Sequence, residues 1–381
     1  MQMEGFKLKS IYFNIRAASR ERMWDTTKYA SDFCDVLLPN VKRQSSIKTY
    51  KTFNKQSLVS KLKYEVSKKI LNKQKIELSK SNKADIIYMW GAIPKNTNKE
   101  FIIELDNPYS LAYYHVDNFN KQIETIKANL RKAQKISYLS QTCMNHSLEL
   151  LGQEFKDKSF VTYPYMEENY KKNKRENNII NFIFVGLNSR GKGGDELLEA
   201  FHHTTDKNIR LTFISNISDG TKVKYQNDSR INILPPQSRE KLLNEIYPAM
   251  DIMIFPSFYE SFGVVLLEAL SFGMGIITMN TYATPEIVQD NYNGRLLHHP
   301  ILKPTMLNGK EVVNCVDLRI KGFHERYLEN DEFYFGLYDE LKSSIEEASS
   351  KYKIWQENSL KLFNDKFSPT IWKENFQRII Q

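Results

Sequence analysis

Two glutamates, Glu260 and Glu268, stand with seven residues between them in the stretch FPSFYESFGVVLLEALSFGMG, Phe255 to Gly275. Glu260 lies among polar and aromatic residues, whereas Glu268 interrupts the apolar run Val265, Leu266, Leu267, Ala269 and Leu270. A carboxylate in such a run is costly to bury unless it has a partner. A helix starting near Phe262 would set Glu260 just before its N-terminus and Glu268 about two turns in. The free N–H groups of Phe262, Gly263 and Val264 could then hold a phosphate, while Glu268 accepts hydrogen bonds from a diol such as a ribose. Taken as a bare pair, the two read more readily as a capping glutamate and a helix glutamate that reaches solvent.

Two further stretches flank this one. In FIFVGLNSRGKGGDELLEAF (182–201) a strand ends at Gly186, a loop carries Arg190, Gly191, Lys192, Gly193 and Gly194, and a helix starts near Asp195. Small residues let backbone N–H groups approach an anion and two cations add charge, as at a strand–loop–helix junction that binds phosphate. It is not a Walker loop, since GK[ST] is absent. In NTYATPEIVQDNYNGRLL (280–297), Pro285–Glu286 opens a helix and Asn293-Gly294 signals a turn.

The elements that position these residues alternate. SIYFNI (10–15), CDVLL (34–38), DIIYMW (85–90), FIIEL (101–105), ISYLS (136–140) and SFVTY (159–163) read as strands, with helical segments at 56–80 and 119–133. The pattern restarts at NFIFVG (181–186) and continues through RLTFIS, INIL, DIMIF and GIITM, with helices between them. Alternating β and α predicts parallel sheets with helices on both faces. Two such series predict two doubly wound, Rossmann-like domains facing a cleft, hinged near 166–178. The last helices include a Ser-Pro start at 368–369. Residues 301–332 read as an irregular insertion.

The charge is lopsided. Residues 1–170 hold 28 Lys+Arg against 18 Asp+Glu, while 171–381 hold 26 against 27. Within 51–83 ten lysines face Glu65 and Glu77. Nucleic acid, an anionic lipid or a phosphorylated substrate could each account for this, and so could a simply solvated lysine-rich face. Leu58, Leu62, Val66 and Ile70, at steps of four beside lysines, predict a basic amphipathic helix that either lies on an anionic membrane or packs on the N-terminal sheet with its lysines outward. No nucleic-acid motif accompanies the basic half, so nucleic acid is not an expected partner. Cys34, Cys143 and Cys315 have neither metal-ligand nor CxxC spacing. With no apolar run of signal-peptide or membrane-span length, a cytoplasmic protein is expected, with the inner face of the membrane as an extension of that expectation.

Taken together and in order, the three motifs resemble those of the GT-B glycosyltransferases of family 4, the retaining group 1 enzymes. Their Glu–x7–Glu segment resembles PSFYESFGVVLLEALSFGMGIIT here, and the flanking motifs resemble VGLNSRGKGGDELLEA and ATPEIVQDNYNGRLL. The resemblance is tight over about 180–297. It implies an α/β GT-B fold with an acceptor-side domain over 1–170, a nucleotide-sugar domain over 171–355, and a C-terminal helix over 356–381 that crosses back. It implies transfer of a sugar from a nucleotide-diphosphate sugar to a glycan or lipid-linked acceptor in cell-surface polysaccharide synthesis. Lys192, with Arg190, would contact the diphosphate near Gly186. Glu268 would bind the ribose and Glu260 would face the hexose. The N–H groups of Phe262, Gly263 and Val264 would hold phosphate or sugar oxygens, and Leu234 would border the base. No metal or other cofactor is then needed, because cations and a helix dipole stabilise the leaving group.

The chain departs from the family pattern at Leu187, where many members have Arg, at Pro235-Pro236, and in the glycine-free loop after the first strand. On the acceptor side, FIIELDNPYSLAYYHVDNF offers Glu104, Asp106, Asn107, Tyr109, His115 and Asp117, of which Asp106 or His115 would face the reacting centre. The alternatives are an inactive glycan- or lipid-binding partner of a polysaccharide assembly, and a nucleotide-sugar epimerase or hydrolase on the same fold.

Overall fold

The computed structural model describes residues 8–44, 58–170, 178–314 and 334–381. They divide into two compact units, Met1–Tyr165 with Thr370–Gln381, and Met166–Pro369. The units part at 369 because one helix, Phe335–Lys366, runs unbroken through the boundary expected at 356. Only the helix Pro369–Ile380 joins the first unit.

The first unit is a six-stranded sheet of β1 (Ser10–Phe13), β2 (Asp35–Leu37), β3 (Ile86–Trp90), β4 (Phe101–Leu105), β5 (Ala133–Tyr138) and β6 (Ser159–Val161). The order is β2-β1-β3-β4-β5-β6 and every pair is parallel. The glycine-free start is therefore a true inner strand, Ser10–Phe13, shorter than the 10–15 expected. One face buries Ile11, Phe13, Ile86, Tyr88, Trp90 and Ile102 under helix Glu21–Ala30 and the final helix, through Trp372, Phe376 and Ile379.

That face also buries a charge pair. Arg22 and Glu104 are 5% and 4% exposed, and the guanidinium donates to one carboxylate oxygen while Tyr88 Oη donates to the other at 2.8 Å. Burial, then the Glu104 charge, holds the Tyr88 hydroxyl far above its ordinary range, so it remains a donor.

Two expected elements differ. The helix expected over 56–80 spans Leu58–Ser67, and residues 51–57 lie outside the described residues. Beyond Ser67 the chain is held by side chains instead: Asn118 Nδ2 donates to Ile70 O at 2.7 Å and Gln122 Nε2 to Lys69 O at 3.3 Å. Ile70, the last residue of the four-step stripe, is thus beyond the helix. The helix expected over 119–133 is two segments, Val116–Lys121 and Ile123–Arg131.

The second unit repeats the plan with β7 (Ile180–Asn188), β8 (Ile209–Asn216), β9 (Ile231–Leu234), β10 (Ile252–Phe255), β11 (Gly275–Met279) and β12 (Gly294–Leu297). The order β9-β8-β7-β10-β11-β12, all parallel, is that of a dinucleotide-binding fold. Gly294 is required, since a Cβ there would lie 1.7 Å from Ile276 O. Arg230 closes the helix Gly194–His202 from below: its guanidinium donates to the carbonyls of Thr204, Asp206 and His202 and pairs with Asp228. Pro285–Glu286 opens only a single 3-10 turn, Thr284–Glu286. The segment read as an irregular insertion contains an antiparallel hairpin, Thr305–Leu307 with Lys310–Val312, and its residues 315–333, Cys315 among them, lie outside the described ones.

Breaking the Arg22–Glu104 pair from one side leaves a buried charge, so Arg22→Met alone should cost about 3–5 kcal/mol, and Arg22→Met with Glu104→Leu should recover most of that. Urea midpoints of the two variants check this; equal losses would show that the charge pair is not what the core depends on.

Candidate active site

In the second unit the order of strands reverses between β7 and β10, and ligands of open parallel sheets bind outside the strand ends at such a point. The loops that follow these two strands, 189–193 and 256–263, carry most of the sequence candidates.

The first loop folds as a 3-10 turn, Arg190–Lys192, with Gly193 left-handed at φ 67°. A Cβ at Gly193 would meet Pro256 O at 2.4 Å, so glycine allows the loops to touch. A Cβ on Gly186 would lie 3.3 Å from Lys192 Cγ, so that glycine makes room for the lysine stem. Lys192 Nζ then reaches the second loop, 2.9 Å from Glu260 Oε2 and 3.3 Å from Tyr259 O. It also lies 4.8 Å from the Tyr259 ring centroid. The structure thus brings together Lys192 and Glu260, 68 residues apart. Arg190 pairs at 3.2 Å with Asp195, in the first turn of the next helix.

The helix carrying Glu268 is Val264–Ser271, starting two residues later than expected. Gly263, at φ 88°, is its N-cap, and the N–H groups of Leu266 and Leu267 both bond to Gly263 O. The N–H groups at the helix mouth are therefore those of Val264 and Val265 rather than Phe262. Phe262 is buried and serves the core. Leu234 ends β9 and is half-buried.

Glu268 is 6% exposed, and its partners are residues that sequence reasoning missed. Arg239 Nε donates to Oε1 at 2.6 Å and Tyr247 Oη to Oε2 at 3.3 Å. Arg239 opens a short helical turn capped by Ser238, and a wide π-type turn over Leu242–Ile246 leads to Tyr247. The only sequence signal was the carboxylate itself: an acid in an apolar helix demands a cation, and Arg239 lies within SREKLLNEIYPAM. Burial and the Glu268 charge raise the Tyr247 hydroxyl well above its ordinary range, which keeps it a donor.

In the first unit, Asp106 follows β4 directly. It is buried, accepts from Tyr114 Oη at 2.9 Å, and meets Arg20 at 3.4 Å. His115 Nε2 lies 2.9 Å from Ser67 Oγ, with its ring edge-on to Tyr64. Glu104 belongs to the core pair, and Asn107 caps the turn Pro108–Ala112 through the Tyr109 N–H. Among the described residues no group of three or more His, Cys, Asp and Glu side chains could hold a metal ion. No helix among them is long and apolar enough to cross a membrane.

Two Rossmann-like units of parallel strands followed by a returning C-terminal helix define the GT-B class of glycosyltransferase folds, and this chain has that fold. Residues 166–308, under half of the chain, match the family described as glycosyl transferases group 1. A D-inositol 3-phosphate glycosyltransferase of Mycolicibacterium smegmatis is 41% identical over 68 residues, 18% of this chain. That match spans only 15% of the relative's length. Among solved structures, Anabaena HepE in complex with UDP-glucose superposes with a TM-score of 0.57 at 14% identity, covering 97% of this chain and 99% of its own. WaaG, a glycosyltransferase involved in lipopolysaccharide biosynthesis, superposes at 0.58 and 12% identity, with 97% and 99% coverage.

Burial pushes two histidines, His146 in the first unit and His299 in the second, down to about 4. Between that value and the unfolded value near 6.5 the unfolded chain binds more protons. Their contribution is therefore complete above pH 6.5 and is lost as pH falls towards 4, by up to ~3 kcal/mol per histidine. Urea midpoints across pH 4–7 should rise with pH through this window; a flat profile would contradict the burial of neutral imidazoles.

Proposed function

We propose that this chain is a retaining glycosyltransferase that moves a hexose from a nucleotide-diphosphate sugar to a glycan or lipid-linked acceptor in cell-surface polysaccharide synthesis, without a metal. The observation that carries this reading is the meeting of Lys192 with Glu260 at the strand-order reversal, beside the helix that holds Glu268. An ammonium group there can take the diphosphate charge, with Arg190 nearby on the same turn. The Val264 and Val265 N–H groups and the Gly263 N-cap offer further donors to phosphate or sugar oxygens. Glu260 then faces the hexose, Glu268 the ribose hydroxyls, and Leu234 the base. Developing charge on the leaving diphosphate is met by fixed cations and a helix end, which is why no metal is invoked. On the acceptor side, Asp106 and His115 are the groups proposed to face the transferred sugar. The likeness in fold to a protein solved with UDP-glucose makes uridine the first base to test.

Thermal shift with UDP, GDP, ADP, CMP and TDP and their common sugars tests the donor reading. A ligand at a hundred times its dissociation constant stabilises the folded chain by about 2.7 kcal/mol. One nucleoside diphosphate should raise Tm by several degrees, and Glu268→Ala and Lys192→Ala should each reduce the shift at least tenfold in ligand concentration. Folded protein that answers to no nucleotide would end the donor reading.

The chain's proposed place is the cytoplasmic face of an anionic membrane. The helix Leu58–Ser67 leaves Leu62 67% and Val66 48% exposed, with Tyr64 and Ile70 also in solvent and Lys63, Lys68 and Lys69 beside them. Apolar side chains of this kind gain by entering a headgroup layer, and the lysines add about 1 kcal/mol each near anionic lipid. Sedimentation with phosphatidylglycerol vesicles should pull down the chain at low salt and release it at high salt, and Leu62→Glu with Val66→Glu should abolish binding. Equal pull-down of that variant would remove this face from the proposal.

A further inference from the structure

The donor loop 256–263 is held from behind by a histidine that the transfer chemistry does not use. His299 follows β12, and its ring makes three polar contacts. Nδ1 receives the backbone N–H groups of Ile301 at 3.2 Å and Leu302 at 3.0 Å. Because Nδ1 accepts twice, the ring proton of the neutral imidazole sits on Nε2, which donates to Phe258 O at 2.9 Å. The ring also stands edge-on to the Phe258 ring, centroids 6.1 Å apart, and Phe258 is fully buried. Phe258 lies two residues before Glu260. Its neighbour carbonyl, Tyr259 O, accepts from Ser257 Oγ at 2.9 Å and from Lys192 Nζ.

We propose that His299 is a positioning residue for the donor site: a neutral-imidazole latch that fixes the Phe258 carbonyl and thereby the loop that presents Glu260 to Lys192. The inference rests on the reading of this loop as the donor site. Only a neutral ring can do both jobs at once, since a protonated Nδ1 would point a third N–H at the donors of Ile301 and Leu302. Burial pushes His299 down to about 4, opposed by the Phe258 carbonyl, with no charged side chain contributing. Among the described residues the Tyr334 ring also lies against Phe258, centroids 5.5 Å apart. The latch therefore holds at neutral pH and opens as the ring takes up a proton in acid.

Two variants of the full chain separate positioning from bulk packing. His299→Phe keeps an aromatic ring against Phe258 but can neither donate nor accept. His299→Gln offers an amide donor to Phe258 O and cannot gain a proton. Hydrogen exchange of peptides covering 256–263 and calorimetric affinity for UDP are measured from pH 4 to 7. At pH 7, His299→Phe should exchange faster in this loop alone and bind UDP about five- to tenfold more weakly, the value of one or two lost hydrogen bonds. His299→Gln should bind within about twofold of the native chain. The native chain should lose affinity more steeply than His299→Gln as pH falls from 6 towards 4; titration of the UDP phosphate is common to both and cancels in the comparison. Native affinity and exchange in His299→Phe, or superimposable acid limbs in the native chain and His299→Gln, would overturn the latch. Should His299→Phe not fold, the paired acid limbs decide. Should the native chain bind no nucleotide, the donor reading fails, and faster or unchanged loop exchange in His299→Phe and in the acidified native chain still supports or overturns the latch.

Discussion

In a sheet whose strands all run parallel, every loop that follows a strand emerges at the same edge. Both units obey this constraint, and the site follows from it. Where the order passes from β7 to β10, the helices leave on opposite faces and their loops part, so residues far apart in sequence can meet at the strand ends. Lys192 and Glu260 meet there because Gly186 clears the path of the lysine stem and Gly193 lets its loop touch Pro256. A side chain at Gly193 would push the loops apart before any ligand arrived, and one at Gly186 would press on the Phe184 ring and the Lys192 stem.

The two units solve the same electrostatic problem in the same way. Each buries a glutamate and satisfies it with one arginine and one tyrosine: Arg22 and Tyr88 for Glu104, Arg239 and Tyr247 for Glu268. In both, the phenol is driven far up by burial and by the glutamate's own charge, so it remains a donor. The surroundings differ. The Arg22 side chain is 6% exposed and belongs to the core, whereas that of Arg239 is 20% exposed and keeps one side to solvent. Removing a carboxylate from water costs several kcal/mol, which the first pair recovers only as packing and fold. The second lies on the helix that Gly263 caps.

Much of the molecule was legible in the chain. Short β-branched and aromatic runs alternating with amphipathic stretches located every strand of the first sheet and five of the six in the second, because period and composition act locally; β12, after the Asn293-Gly294 turn signal, was not read as a strand. The carboxylate among leucines left two readings open, a buried acid with a partner or one that reaches solvent, and the structure has the first; the glycines around Arg190 and Lys192 announced a close backbone approach. Local pattern also fixed the Ser-Pro start of the last helix at Pro369.

The partners were not legible. Nothing near Glu268 in sequence names Arg239 or Tyr247; a strand crossover brings them there. Helix ends shifted for the same kind of reason. The helix at Leu58 stops at Ser67 because Asn118 and Gln122 from another element claim the next carbonyls. The helix of Glu268 begins at Val264 because Gly263 takes a left-handed turn. His299 was not among the sequence candidates, and only the return of its loop against Phe258 makes it a neutral double acceptor. Sequence determined which segments are strands, β12 excepted, since that depends on neighbours along the chain. Tertiary structure decided who pairs with whom, since that depends on where parallel strands deliver their loops.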